Sequence, residues 1–536
     1  MEENNIMEDT VLKGSGNKDA LENAESIMKR AIETASDFLT SKPLSAELIL
    51  KQLLKCNPEN HQALQLLGLV NHRMGKNSEA VEIFESALEM EPENADNWNN
   101  ISLAYGGLQQ HEKSIECLEK AIRYNPNRYV FYNNIALQYR ECNRYDESIA
   151  SLEKALSIQE EPQIFINLGG VYGEIKDLKL AKECFEKSLV LNPRCSAGHL
   201  DMAYTYFLMG DWSMGFKEYQ WRFDYHPQLQ HYLRNYDADR IWTGQSLDGK
   251  RILIYGEQGV GDTLQFCRYC RLLKEQGAYV ILHCNNALNN LLERFDGIDE
   301  TINIDLVHKS DVEFPEYDYQ CAIMSLPYLL AVPSISGEPY LEPATTKFKE
   351  QIQSKHGNTF NIGVVWAGSP AHPSDNKRSM QLKNFKPLEA TEGVQLFSLQ
   401  MDARKRKYGW QTYGIGEDQL SDFQPGNTQV VDYAEDCDDM QLVDLTQMIQ
   451  SYDDTATILA GLDLVICCDT SVLHLAGAMG VPCWGLIPYN PDWRWEIDGN
   501  TTIWYDSVRL FRQNERDNWP EVFVRVKEAL DEKLLA

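Results

Sequence analysis

Positive charge is scarce in this chain: 50 Lys and Arg stand against 80 Asp and Glu, giving a net charge of −30 at pH 7. That balance argues against a general nucleic-acid binder or a protein held on anionic lipid, while leaving room for a local basic pocket around a phosphorylated small molecule. Long apolar runs are also missing, so no membrane insertion is expected. The opening stretch "MEENNIMEDTVLKGSGNKDA" is polar and acidic with no hydrophobic segment, which sets a cytoplasmic location as the expectation. The 13 cysteines lack paired spacing and read as small buried hydrophobes in a reduced compartment. Cys267 and Cys270 form a C-x-x-C inside a predicted helix with no second pair nearby, so packing is the reading there and no metal site is expected. At 536 residues the chain exceeds one ordinary core, and two to four domains are expected.

What is present in the first half is self-similarity. "HQALQLLGLVNHRMGKNSEAVEIFESALEMEPEN" aligns with "ADNWNNISLAYGGLQQHEKSIECLEKAIRYNPNR" at a shift of 34 residues. Gly68, Ala80, Phe84, Ala87 and Pro92 correspond to Ser102, Ser114, Leu118, Ala121 and Pro126. The pattern returns in "YVFYNNIALQYRECNRYDESIASLEKALSIQEE" and "PQIFINLGGVYGEIKDLKLAKECFEKSLVLNPRC", with weaker copies before and after. This period resembles the tetratricopeptide repeat. Two helices per unit need small residues where they cross and a proline to end the second, and stacked units form a solenoid with a concave groove.

Asn100, Asn134 and Asn167 occupy the sixth place of their units. Stacking would set these amides in a ladder able to hold an extended peptide by its backbone, since an amide both donates and accepts. The competing reading is that asparagine is simply common at this repeat position.

From Arg251 onward, short apolar runs alternate with helical segments. "RILIYG", "AYVILHC", "TINID" and "YQCAIM" read as buried strands, then, after a break near 342–359, "NIGVVWAG", "VQLFSLQ", "TQVVDY", "LDLVICC" and "VPCWGLI". Such alternation argues for parallel sheets with crossover helices. The expected organisation is a polar tail over 1–25, a solenoid over 26–224, a linker over 225–249, two α/β halves over 250–345 and 360–520, and a final helix over 521–536. The linker carries Asp237-Ala238-Asp239, which is not read as a metal-binding pair because no apolar strand precedes it. The stretches "DYAEDCDDM" and "EQIQSKHGNTF" read as solvated surface.

Ligands of open α/β sheets bind beyond the carboxyl ends of the strands, and four stretches fall there. In "LIYGEQGVGDTLQF", Gly256, Gly259 and Gly261 permit a tight turn and close approach. Asp262 reads either as a helix cap worth about 1 kcal/mol or as a general base. The glycine spacing departs from the dinucleotide fingerprint. In "WAGSPAHPSDNKRSM", Ser369, Ser374, Asn376, Lys377 and Arg378 suit a phosphate, with a solvated loop as the rival. In "VQLFSLQMDARKRKYGW", Gln400 ends a strand and could read a nucleobase edge, with Lys405 following, or the stretch is a basic surface patch. In "LDLVICCDTSVLHLAGAMGVPCWGLIPYNPDWRW", Asp469 follows a strand, Thr470 and Ser471 open a helix, and His474 lies near its first turn. A helix N-terminus suits a diphosphate, and Ala476, Gly477, Ala478 and Gly480 allow close packing. A lone histidine is usually structural.

The region from about Arg251 to Asn518 resembles bacterial glycosyltransferases fused to tetratricopeptide repeats, whose catalytic part is related to the heptosyltransferases (glycosyltransferase family 9). The stretches carrying the likeness are "GEQGVGDTLQFCRY", "WAGSPAHPSDNKRS", "FSLQ", "DTSVLHLAGAMGVPCWGL" and "PDWRW…WYDSVRLFRQ". The layout is also similar to O-linked N-acetylglucosamine transferase. The resemblance implies an α plus α/β chain: a solenoid followed by a GT-B fold of two Rossmann-like halves. By that likeness Asp262 is the base, and Lys377, Arg378, Lys405, Asp469, Thr470, Ser471 and His474 hold the donor, with Gln400 on the nucleoside. Gln258, Trp366, Asp492, Trp493 and Arg494 line an acceptor or sugar pocket. The implied chemistry is inverting transfer with a nucleotide-sugar as donor substrate and no obligatory metal or cofactor. The implied partner is a polypeptide acceptor, and self-assembly through the repeats is left open. The alternatives are a non-catalytic scaffold with a relic or sensing sugar-nucleotide domain, and an envelope-glycan transferase.

Overall fold

The computed structural model describes residues 18–226, 229, 238–303, 315–356, 359–370, 372, 374–401, 440, 442–445 and 448–535. The chain forms two compact units, Met1–Cys195 and Ser196–Ala536. The predicted strand "TQVVDY", Asp237 and most of the N-terminal tail lie outside the described residues.

The first unit is a tetratricopeptide solenoid. Its helices alternate 13 and 14 residues, as in His61–Arg73 and Asn77–Met90, Ala95–Gly107 and His111–Tyr124, Tyr129–Glu141 and Tyr145–Ile158, and Pro162–Glu174 and Leu178–Leu191. The crossing point of each pair explains the repeat pattern. A Cβ on Gly68 would sit 2.4 Å from the Phe84 ring, and one on Gly169 would sit 2.6 Å from Phe185. Where the repeat carries Ser102 or Ala136 in place of glycine, the equivalent partner shrinks to Leu118 or Leu152. Volume is thus conserved across each crossing while the residues exchange, as close packing requires. Ser114 and Ser148 donate hydroxyl bonds of 2.7 Å to the carbonyls of Ser102 and Ala136 on the facing helix.

The second unit opens with the helices Ser196–Leu208 and Trp212–Glu218, continuing through the short turns Tyr219–Trp221 and Arg222–Tyr225. Two parallel sheets follow. The first holds β1 (Arg251–Tyr255), β2 (Tyr279–Cys284), β3 (Glu300–Asn303) and β4 (Tyr319–Ala322) in the order β3-β2-β1-β4. The second holds β5 (Phe360–Val365), β6 (Val394–Ser398), β7 (Leu442–Asp444), β8 (Leu464–Cys468), β9 (Cys483–Ile487) and β10 (Val508–Arg512), ordered β10-β9-β8-β5-β6-β7. In both, the chain starts centrally, steps outward, then returns to the other side of its first strand. The six-stranded sheet has the full Rossmann order and the four-stranded sheet its first four members. Strands buried on both faces read as continuous apolar runs, as in the fully buried β8 and β9. The helix Trp519–Leu535 covers the second sheet's half, where Phe523 meets Phe385 edge-on at 4.7 Å. No described helix is long and apolar enough to cross a membrane.

Candidate functional site

Strand order reverses between β1 and β4 in one sheet and between β5 and β8 in the other. In open α/β sheets ligands bind at such switch points, outside the carboxyl ends of the strands. The loops leaving β1, β5 and β8 are three of the four stretches singled out from sequence.

The glycines after β1 serve close approach. A Cβ on Gly256 would lie 2.9 Å from Thr263 Oγ1 and 3.3 Å from the His283 carbonyl. One on Gly261 would lie 2.9 Å from His474 Cδ2 and 3.6 Å from Ser471 Cα. The helices Val260–Phe266 and Ser471–Ala478, one from each half, therefore touch at their N-terminal turns, bringing Asp262 and His474 to one place. Gln258 takes a left-handed conformation (φ 61°) and its Nε2 donates to Tyr219 Oη at 2.6 Å. A small recess of about 10 Å³ lies beside this loop, lined by Gly256, Gln258, Gly259, Val260, Thr263, Cys284 and Asn285.

Both oxygens of Asp262 are engaged. Oδ2 accepts the Gly259 N–H at 2.7 Å, and Oδ1 pairs with Arg494 Nη2. Arg494 also donates from Nη1 to Asp492 Oδ1 and from Nε to Gln265 Oε1, each at 2.8 Å. Burial raises the Asp262 pKa above the ordinary carboxylate value, against the pull of Arg494 and the Gly259 N–H.

At the carboxyl end of β8, Thr470 turns its hydroxyl back to the Cys468 carbonyl (3.2 Å) and does not cap the helix Ser471–Ala478. First-turn N–H groups without a side-chain cap, with the positive end of the helix dipole, suit an anion. Ser471 Oγ is tied to Tyr452 Oη at 2.6 Å. Asp469 is buried at the end of β8, and burial together with the charge of Asp492 lifts its pKa to about 6, opposed by Arg378. His474 is buried, shares a 2.9 Å bond from Nδ1 with Tyr505 Oη, and stacks on Trp495 at 5.4 Å. Burial first, then the charges of Arg494, Arg268 and Arg378, hold its pKa well below the usual histidine value. His474 is therefore a neutral imidazole near pH 7.

The remaining predicted residues separate. Arg378 Nη1 donates to the Asp469 carbonyl at 2.9 Å and its Nε to Asp375 Oδ1 at 3.3 Å, so it stands at the end of β8. Lys377 is exposed. The Gln400 amide spans the turn after β5: Oε1 accepts the N–H groups of Trp366 (3.1 Å) and Ala367 (2.9 Å), and Nε2 donates to the Ala367 carbonyl (3.0 Å). Trp366 is buried. Trp493 stacks on Phe207 at 4.3 Å, in the aromatic core under the helices Ser196–Leu208 and Trp212–Glu218. Lys405 lies outside the described residues. Among the described residues no group of three or more His, Cys, Asp or Glu is placed to hold a metal ion.

Several residues shaping the site have no sequence signature. Arg222 and Glu257 form a buried pair behind the glycine loop. Arg268 is buried without a carboxylate partner among the described residues, donating to the Gln265 and Trp504 carbonyls and to Tyr340 Oη, each at 2.9 Å. Asp375 anchors the cationic loop through Ser379 Oγ (3.0 Å) and Arg378.

In the solenoid the amides bond to one another between repeats. Asn134 Nδ2 donates to Asn99 Oδ1 at 2.8 Å, and Asn167 Nδ2 to Asn133 Oδ1 at 2.7 Å. Among the described residues Asn100 has no side-chain hydrogen-bond partner and is half-buried.

Comparison with known proteins matches the solenoid to repeat families. The family described as "Psidin, N-terminal TPR repeats region" matches residues 45–149, and the tetratricopeptide repeat matches 162–195. Protein FlbA of Caulobacter vibrioides is 26% identical over 337 residues, covering 59% of this chain and 52% of FlbA. The chain thus spans about half the length of that relative. Among solved structures, TTC0263, a thermophilic tetratricopeptide repeat protein of Thermus thermophilus, is 21% identical with a TM-score of 0.32, covering 33% of this chain and 98% of its own. A tetratricopeptide repeat protein of Parabacteroides merdae is 22% identical with a TM-score of 0.31, covering 36% and 77%. The chain is a tetratricopeptide repeat protein with a C-terminal region of two parallel α/β halves, distantly similar to FlbA.

Proposed function

We propose that this protein is a glycosyltransferase that moves a sugar from a nucleotide-sugar donor to an acceptor hydroxyl, on a polypeptide recruited by the repeats. One observation carries the reading: a carboxylate from one Rossmann-like half, Asp262, meets an uncapped helix N-terminus from the other at the switch points of both sheets. Asp262 accepts the proton of the acceptor hydroxyl while its oxygen attacks the anomeric carbon. The bond from that carbon to the diphosphate breaks, and its electron pair leaves on the diphosphate oxygen. The first turn of Ser471–Ala478 and Arg378 meet that charge, the kind of preorganised stabilisation that contributes most to many enzymes. Transfer is inverting and metal-independent by the likeness to heptosyltransferases, and the cytoplasm is the proposed location. Gln400 shapes the nucleoside pocket through the turn it braces.

The test is thermal-shift screening of the full chain against UDP-, GDP-, ADP- and CMP-sugars, where a ligand at a hundredfold its dissociation constant adds about 2.7 kcal/mol. Asp262→Ala is then expected to abolish transfer and keep donor binding. Stabilisation by none of the four nucleotides would sink the reading. The pairing of Asp262 with Arg494 favours a second reading, a sugar-nucleotide sensor without transfer, which predicts donor binding but no turnover in the wild type.

A further inference from the structure

Arg494 stands where the two halves meet. Its acceptors come from two sides: Asp492 from its own turn, Asp262 and Gln265 from the helix Val260–Phe266. The backbone beneath it is fixed separately. Trp504 Nε1 donates to the Arg494 carbonyl at 3.0 Å, and the Arg512 guanidinium donates to the carbonyls of Trp495, Glu496 (2.9 Å), Asp498 (3.0 Å) and Gly499 (2.6 Å). Glu496, at the turn's end, holds a left-handed φ of 54° that this clasp sustains. The guanidinium, by contrast, is held through side-chain acceptors, those of Asp492, Asp262 and Gln265, so it can exchange one of them without disturbing that turn.

Burial raises the basicity of Asp262, and the guanidinium it holds takes part of that gain away by stabilising the ionised carboxylate. A diphosphate carries more charge than Asp262 and offers a guanidinium paired hydrogen bonds. We infer that Arg494 is a shared cation: bound to Asp262 before the donor arrives, it passes to the donor diphosphate on binding, which frees Asp262 to act as base. The inference rests on the glycosyltransferase reading and adds to it an order, donor before acceptor. It also gives Arg494 a catalytic role. As the acceptor oxygen bonds to the anomeric carbon and its proton goes to Asp262, the electron pair of the broken bond settles on the diphosphate oxygen facing Arg494.

Competition for one cation makes a counterintuitive prediction. In isothermal titration of the full chain with UDP, GDP, ADP, CDP and inorganic pyrophosphate, Asp262→Asn should bind the preferred diphosphate about fivefold tighter than wild type, by linkage. Arg494→Gln should bind it about tenfold weaker. The double variant should match Arg494→Gln, because Asp262 acts on the diphosphate only through Arg494. Unchanged or weaker binding by Asp262→Asn overturns the inference. So does wild-type affinity in Arg494→Gln, a result that decides the matter even where Asp262→Asn folds poorly. If wild type binds none of these probes, the glycosyltransferase reading falls and this inference with it. If wild type binds and the two variants do not diverge, only the shared cation falls.

Discussion

Arg222 and Glu257, 35 residues apart in the chain, meet fully buried through two parallel N–H···O bonds of 2.8 and 2.7 Å. Glu257 Oε1 also accepts the Met324 N–H at 3.1 Å, and Arg222 Nη2 donates to Ser325 Oγ at 2.8 Å. One ion pair thus ties the helical segment ending at Tyr225 to the carboxyl ends of β1 and β4. Breaking a buried pair leaves one charge without compensation, so Arg222→Met should cost about 3–5 kcal/mol in denaturant unfolding, and Arg222→Met with Glu257→Leu should recover most of it. A double variant as unstable as the single one would mean that the hydrogen bonds to Met324 and Ser325 matter more than the charges.

Gly261→Ala places a methyl 2.9 Å from the His474 ring, which is buried and bonded to Tyr505. The two helices must part, at an expected cost of about 1–3 kcal/mol. In the proposed glycosyltransferase, weaker donor binding should accompany the loss. The contrast is Gly173, inside the helix Pro162–Glu174, where an added Cβ meets nothing within 4 Å. Gly173→Ala should stabilise by about 0.4–1 kcal/mol through the unfolded chain. Thermal unfolding of both variants decides whether contact or conformational freedom sets the value of each glycine.

Sequence reveals the elements that repeat or run apolar. The 34-residue period locates the helix pairs because each crossing needs the same small-to-large match, seen at Gly68 and Phe84. The runs "RILIYG" and "LDLVICC" correspond to β1 and β8 because both faces of those strands are covered. β10 is not legible because Arg509 and Arg512 interrupt its apolar run, and β7 because it has only three residues. The candidate site is legible as far as local chemistry reaches: glycines, a carboxylate, a helix start. Its cross-links are not. Asp262 and Arg494 lie 232 positions apart, and no spacing rule joins residues brought together by the packing of two sheets.

Two buried groups pull the pH dependence of stability in opposite directions. Asp469 titrates near 6 in the folded protein against an ordinary value of 3.8, so between those values the folded state holds a proton that the unfolded chain has released. Stability then falls as pH rises from about 4 to 6, by about 3 kcal/mol. His474 is held well below 6.5, so the unfolded chain takes up a proton first and stability falls as pH drops below about 6.5. Asp469→Asn should therefore be more stable than wild type at pH 7–8, with the gap closing toward pH 4. His474→Gln should lose less stability than wild type on acidification from pH 7 to 5. Parallel stability–pH curves for wild type and Asp469→Asn would show that Asp469 ionises freely.

The amides of the solenoid separate packing from recognition. Asn134 and Asn167 are tied to Asn99 and Asn133 of the preceding repeat, so removing the donor leaves a buried acceptor at Asn99 or a half-buried one at Asn133 without its partner. Asn134→Ala and Asn167→Ala should each cost about 1 kcal/mol of solenoid stability. Asn100 has no such tie among the described residues, and Asn100→Ala should leave the melting temperature within error of wild type. If the groove holds an extended peptide by its backbone, the same substitution should weaken binding of an uncharged Ser/Thr-rich peptide, since its amide has both a donor and an acceptor to offer. Stability unchanged and peptide binding unchanged in Asn100→Ala would confine the asparagines to bonding one repeat to the next.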